Sequence, residues 1–274
     1  MPWDPSRAKG VAIRSAAMLL GLYTLALTAI WALQERLLFH PEVLPADHDF
    51  AFGADVHEVA IDVPGARLVA LHLRNPDPAG VVFYLHGNGG SLEGWFANAE
   101  VYRRINFDLF MVDYRGYGKS TGAIEDEAQL RGDVRAAWDT IAAQYAGRRR
   151  VIVGRSLGTA LAAGLAAEAA PEQTILVSPY QSMLEMADLQ FPWVPHLLLR
   201  YPLRTQDDAA RVHGPLMILH GERDGLIPIA QAEAIAAGRP GTELVRVSEA
   251  GHDDIHEFPA YQEAFVRAVT GAAQ

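Results

Sequence analysis

The pentapeptide Gly154-Arg155-Ser156-Leu157-Gly158 follows an apolar run and precedes a stretch of small residues. A serine set between glycines on a sharp strand-to-helix turn can present its hydroxyl beyond the end of a sheet; the turn strains its backbone, and the flanking Gly154 and Gly158 leave room for it. Such a hydroxyl is a weak nucleophile at neutral pH. It needs an adjacent base, itself oriented by a third group. Both partners stand downstream, in the order Ser, Asp, His. Asp224 lies in His220-Gly221-Glu222-Arg223-Asp224-Gly225-Leu226-Ile227-Pro228, and His252 in Ala250-Gly251-His252-Asp253-Asp254-Ile255. Ser156 is therefore the expected nucleophile, His252 the general base and Asp224 the acid that orients it. Glu222 and His256 are the competing acid and base; Asp224 is preferred for its place before a turn glycine, and His256 falls deeper in an expected helix.

Acyl transfer also needs two preorganised N–H donors facing the oxygen that turns negative. The residue after the nucleophile, Leu157, supplies one. The other is expected from Asn88 in the loop His86-Gly87-Asn88-Gly89-Gly90. That loop has neither the lysine and hydroxyl residue of a phosphate-binding P-loop nor the spacing of a dinucleotide fingerprint. His86 and His220 each precede a glycine at a strand end and read as structural. Asp113 and Arg115, in Asp113-Tyr114-Arg115-Gly116-Tyr117-Gly118-Lys119-Ser120, read as braces for the loops around the site.

Other chemistries are poorly served. The chain has no cysteine, which excludes disulfides, thiolate catalysis and cysteine-bound metal. No close histidine pair with a matching carboxylate suggests zinc, so neither metal nor cofactor is expected. A net charge of -10 and a pI near 5.4 argue against nucleic-acid binding, which calls for a basic face. The one basic run, Arg148, Arg149 and Arg150, reads as a solvated loop before a strand.

The elements that must position these residues follow from hydrophobic pattern. Residues 56–63 and 66–73 alternate as antiparallel strands around a Pro64-Gly65 turn. Short apolar runs at 81–85, 108–112, 151–153, 174–177, 216–219 and 243–247 then alternate with helical stretches. Strands that are apolar on both faces predict a mostly parallel sheet flanked by helices, with ligands bound beyond its carboxyl edge. All the candidate residues stand just after such runs. An apolar insertion at about 180–210, containing Met183, Met186, Phe191, Trp193 and Leu197 to Leu199, reads either as helix core or as a cap over an acyl pocket.

Residues 15–33 carry no charge and are apolar on every helical face. A helix of that length approaches the roughly 30 Å of bilayer hydrocarbon. The division expected is a cytoplasmic N-terminus at 1–14, a transmembrane signal anchor at 15–33, a linker at 34–49 and a catalytic domain at 50–274. Arg7, Lys9 and Arg14 before the segment, against Arg36 beside Glu35 after it, keep the N-terminus cytoplasmic and put the domain on the extracytoplasmic side. Cleavage as a signal peptide, with secretion, is the alternative; the apolar region exceeds the usual 7–15 residues of such peptides.

The chain resembles the Bem46 and ABHD12/13/17-like group of α/β hydrolases. The resemblance rests on Arg36-Leu37-Leu38-Phe39-His40-Pro41-Glu42, the His86 to Gly90 loop, Asp113 to Ser120, the serine pentapeptide, Gly221 to Pro228 and Gly251 to Ile255. It implies the α/β-hydrolase fold, a membrane-anchored serine hydrolase, and cleavage of carboxylic esters, thioesters or lipid acyl groups without a cofactor. The implied partners are an ester or acyl-lipid substrate and the lipid bilayer. A serine aminopeptidase or acyl-peptide hydrolase with the same triad, and a non-catalytic membrane-tethered scaffold, are the alternatives. Asp253 stands where the group often has asparagine and Gly89 where it often has alanine, and the N-terminal cysteine cluster of depalmitoylating members is absent.

Overall fold

The computed structural model describes residues 5–272. Eight strands form one sheet: β1 (Val56–Val63), β2 (Ala66–Leu73), β3 (Gly80–Leu85), β4 (Phe107–Val112), β5 (Arg149–Arg155), β6 (Gln173–Val177), β7 (Leu216–Gly221) and β8 (Glu243–Val247). Their spatial order is β1-β2-β4-β3-β5-β6-β7-β8. β2 runs antiparallel to both neighbours and every other pairing is parallel. Gly65, at φ +78°, makes the turn between β1 and β2.

The helices are α1 (Pro5–Ala32), α2 (Gln34–Leu38), α3 (Leu92–Trp95), α4 (Glu100–Arg104), α5 (Glu127–Ala142), α6 (Gly158–Ala169), α7 (Met183–Gln190), α8 (Thr205–Ala209), α9 (Ile229–Gly238) and α10 (Pro259–Thr270). Because side chains alternate along a strand, the sheet has two cores. Val81, Phe83 and Leu85 of β3 face Leu130, Val134 and Trp138 of α5 and the small residues of α6. Val82 and Tyr84 face Leu92, Phe96 and Tyr102 on one side and Tyr261 and Phe265 of α10 on the other. The parallel strands β3, β5, β7 and β8 deliver their carboxyl ends to a single edge.

Three stretches differ from expectation. Residues 34–49 are not a free linker. Gln34 and Phe39 are buried, Phe39 against the Tyr201 ring at 5.2 Å, and His40–Pro41 pairs in parallel with Gly89–Gly90. The helix expected at 15–33 already begins at Pro5 and runs unbroken to Ala32; residues 1–4 of the expected cytoplasmic terminus lie outside the described residues. Within it, Lys9–Ala32 is long and apolar enough to cross a membrane, with mean hydropathy 1.6. The arginine run is not a solvated loop. Arg149 opens β5 and donates to the carbonyls of Ala268 and Val269, which the end of α10 leaves unpaired, while Arg148 pairs with Asp77 and Arg150 with Glu172.

Candidate active site

Ser156 leaves β5 at φ +50°, in the left-handed region that costs a non-glycine residue energy. The tightness that holds it there is visible in its neighbours. A Cβ on Gly154 would lie 2.4 Å from the Gly158 carbonyl oxygen, and one on Gly158 would lie 2.2 Å from that of Leu85. No larger residue fits either position. The Ser156 amide donates to Val177 on β6 at 2.9 Å, and its carbonyl accepts the Thr159 amide and hydroxyl, so the turn is pinned from both sides.

His252 and Asp224 meet the serine at the same edge. The His252 ring Nδ1 lies 2.7 Å from Asp224 Oδ2 and Nε2 lies 3.1 Å from Ser156 Oγ. With Nδ1–H donating to the carboxylate, Nε2 is left to accept the serine hydroxyl. The second Asp224 oxygen accepts the Leu226 and Ile227 amides at 3.0 and 2.8 Å. Burial pushes the Asp224 carboxyl up, but the His252 hydrogen bond, the Ile227 amide and the nearby imidazoles outweigh it, and the group is held below the usual carboxylate range. A carboxylate so held stays charged wherever its histidine works.

His220, fully buried beside Asp224, is also held low, but there burial is the cause. Burial lowers its pKa more than the Ile227 carbonyl and Asp224 raise it, so it is neutral and donates Nε2–H to Ile227 at 2.8 Å. It is structural, as expected, and shapes the Asp224 loop. Glu222 is exposed and receives the Ser248 hydroxyl. His256 sits in a short 3-10 turn, Ile255–Glu257, outside the Ser156 contacts.

Asn88 and Leu157 line the same cavity as Ser156. Among the described residues neither amide is used in the turn and loop backbone hydrogen bonds. The loop carrying Asn88 is fixed by residues only partly legible in sequence. His86, completely buried, lies 4.2 Å from the Tyr114 ring at a tilt of 37°, and the Tyr114 hydroxyl donates to the His86 carbonyl. Tyr117 donates to the Asn88 carbonyl at 2.7 Å and so sets the plane of the peptide there. Asp113 accepts the Leu92 amide beyond the loop. Arg115 instead joins Asp133 and the Pro64 carbonyl, remote from the loop. Arg155, within the pentapeptide, lies over Trp95 and donates to the carbonyls of His252 and Asp253, holding the histidine loop. The aromatics after glycine and the charged residue inside the pentapeptide were the available signals for Tyr117 and Arg155.

The cavity in front of Ser156 measures about 310 Å3 and its lining is mostly apolar: Leu37, Leu38, Met183, Met186, Phe191, Val194 and Leu198 among others, with no carboxylate. Of the insertion at 180–210, Tyr180, Tyr201, Leu203 and Ala209 belong to the core, whereas residues 183–198 do not. α7 has no buried residue, and Phe191, Trp193 and Leu197 are exposed. A larger groove of about 1070 Å3 lies around Tyr102 and Tyr261 and holds none of Ser156, Asp224 and His252. Among the described residues no group of three or more acidic or histidine side chains is placed to hold a metal.

A family model described as serine aminopeptidase, S33, matches residues 76–204, which include Asn88 and Ser156 but end before Asp224 and His252. An uncharacterized protein of Mycobacterium tuberculosis is 30% identical over 239 residues, covering 83% of each chain. Alpha/beta hydrolase domain-containing protein 17B of Xenopus laevis is 30% identical over 207 residues, 73% of this chain and 69% of that one. An esterase from Pyrococcus furiosus shares the fold at TM-score 0.68 and 19% identity, over 85% of this chain and 97% of that one. Of the two departures noted in sequence, Gly89 has nothing within 4 Å of an added Cβ, so alanine and glycine are interchangeable there.

Proposed function

Because this chain belongs to the α/β-hydrolase family, we propose that it is a serine hydrolase cleaving carboxylic esters, thioesters or lipid acyl groups through an acyl-enzyme on Ser156. The observation that carries the reading is the continuous path Ser156 Oγ, His252, Asp224 at 3.1 and 2.7 Å, built on a serine held at positive φ. A non-catalytic scaffold has no use for that strain.

In the first step Ser156 Oγ attacks the acyl carbon while His252 Nε2 takes its proton. The imidazolium so formed is stabilised by Asp224, and the carbonyl oxygen, now negative, is received by the Asn88 and Leu157 amides. As the tetrahedral species collapses, His252 returns the proton to the departing alcohol or thiol. Water then takes the place of the leaving group, gives its proton to His252, and releases the acid, regenerating Ser156. None of these steps uses a cofactor.

The cavity favours esters over peptides. An aminopeptidase must hold its substrate's terminal ammonium, and no acidic side chain lines this cavity. The test uses the full-length protein in detergent with nitrophenyl esters and amino-acyl anilides. Hydrolysis of the esters alone, lost in Ser156→Ala, is the expected result; turnover of the anilides at comparable kcat/KM would make the chain an aminopeptidase.

We further place the chain in a membrane as a single-pass protein with its N-terminus cytoplasmic and its domain extracytoplasmic, supported by the length of the apolar helix and by Lys9 and Arg14 before it. Retention of the helix is favoured over signal cleavage because Ile30 lines the cavity. A mature N-terminus beyond Ala32 would contradict this placement.

A further inference from the structure

The motif Arg36-Leu37-Leu38-Phe39-His40-Pro41-Glu42 has no part in the chemistry above, yet it touches both halves of the site. Ile30, Gln34, Leu37 and Leu38 border the same cavity as Ser156, opposite Phe191 and Val194 of the cap. The next residues reach the oxyanion loop: His40 and Pro41 pair with Gly89 and Gly90, the Glu42 amide donates to the Gly90 carbonyl at 3.0 Å, and the Glu42 carboxylate accepts the Ser91 hydroxyl at 2.7 Å.

The anchor end and the cap are also fastened to each other. Buried Gln34 donates to the Leu198 carbonyl at 2.6 Å and accepts the Arg200 amide at 2.8 Å, closing the space between helix and cap with two bonds from one side chain. Glu35 pairs with the Arg200 guanidinium at 2.8 Å and accepts the Tyr201 hydroxyl. Farther along α1, the Tyr23 hydroxyl donates to the Trp193 carbonyl at 3.0 Å. Tyr23 precedes Ala32 by nine residues, which is about 13 Å of helix. When α1 spans a bilayer, Trp193 therefore lies at the depth of the hydrocarbon, and the exposed Leu189, Phe191 and Leu197 beside it face lipid in place of water.

We propose that segment 30–42 is the outer wall of the acyl site and that a long acyl chain enters laterally from the bilayer, between the anchor and the cap. Ile30 and Leu37 then determine which chain lengths are accepted. This rests on the serine-hydrolase reading and adds to it a route and a specificity element. The physical reason is that an acyl chain crossing water exposes every methylene, at a cost that rises with length, whereas a chain sliding between Leu37 and Phe191 stays in apolar surroundings throughout. The same wall braces the Asn88 loop, so seating of the anchor and readiness of the oxyanion donors are mechanically joined.

The test reconstitutes the full-length protein in phosphatidylcholine vesicles with a hexadecyl fluorophosphonate bearing a diazirine at its chain end. After photolysis, peptide mapping is expected to find the phosphonate on Ser156 and the cross-link in residues 30–38 or 186–199. Ser156 labelled with the cross-link elsewhere, for example on Tyr102 or Tyr261, overturns the route while leaving the serine-hydrolase reading standing. Folded protein without label on Ser156 removes both. In a second measurement, Leu37→Trp lowers the ratio of kcat/KM for palmitoyl over acetyl nitrophenyl ester by about tenfold or more. Leu22→Trp, exposed on α1 away from the cavity, keeps the wild-type ratio. Labelling by a small fluorophosphonate establishes that each variant is folded; an unchanged ratio in Leu37→Trp, or an equal fall in both variants, contradicts the proposal. Vesicles carrying either a glycerolipid ester or an S-palmitoyl peptide then show which of the two presents the chain.

Discussion

The cavity before Ser156 has a floor and an outer wall made in different ways. On the floor, Gly154 and Gly158 admit no Cβ, Asp224 is buried and bonded on both oxygens, and His252 is held between two partners at fixed distance. On the wall, segment 30–38 and the cap meet through a few polar clasps while their apolar side chains stand exposed, Leu197 at 85% and Leu37 at 51%. A floor so close-packed permits one arrangement and therefore one chemistry. The apolar side chains of the wall, as distinct from its pairing with Gly89 and Gly90, can be altered without disturbing that chemistry, and they are the proposed seat of substrate choice.

Substitutions should separate the two regions. The largest effect is expected on the floor: Asp224→Asn keeps the shape but removes the charge that stabilises the imidazolium and fixes its tautomer, and kcat should fall by about 10^4-fold, the scale of the corresponding change in a serine protease. Steady-state hydrolysis of a nitrophenyl ester measures it, and a fall of only a few-fold would show that Asp224 does not orient His252. On the wall, Gln34→Leu keeps the volume but leaves the Leu198 carbonyl and Arg200 amide unpaired. Amide exchange across 183–200 should quicken by about 5–30-fold, while exchange in β5 and β7 stays as it was. Equal acceleration in the strands would mean that anchor and core are one cooperative unit and that the distinction fails.

Between floor and wall stands Tyr117. Tyr117→Phe frees the Asn88 carbonyl, in the peptide that follows the proposed oxyanion donor, so the loop carrying that donor loosens; kcat should drop by about three- to tenfold with KM little changed. A change confined to KM would assign Tyr117 to substrate binding instead. The smallest effect is on stability against pH. Asp224 is held below its ordinary range, so its contribution is present above about pH 4 and is lost as pH falls through the folded-state value. His220, also held low by burial, begins to destabilise the fold as pH drops below about 6.5, where the unfolded chain takes up the proton first. Thermal unfolding in detergent should show two acid-side losses, and Asp224→Asn should lack the lower one.

What the sequence disclosed follows the same division. The strands were legible because each is a short apolar run, and the elbow because only glycine tolerates the approach of Gly158 to Leu85. Asp224 and His252 were legible because they follow strand ends in a fixed chain order, and β7 and β8 do bring them to Ser156. The wall was not. Two prolines made residues 34–49 resemble a linker, and nothing local in Gln34 reveals that its partners lie at 198 and 200, more than 160 residues away. The role of Arg149 is hidden from sequence for the same reason, since the carbonyls it caps belong to the last helix. Long-range pairing of polar side chains leaves no periodic trace, whereas burial of strands does.

The proposed chemistry depends on Ser156 being the nucleophile, activated through His252. Incubation of the folded full-length protein with a small fluorophosphonate, followed by mass-spectrometric mapping, tests it most directly. A single adduct on Ser156 is expected, absent in Ser156→Ala and formed at least about a hundredfold more slowly in His252→Ala. Folded protein that stays unlabelled, or ester hydrolysis that persists in Ser156→Ala, would contradict it.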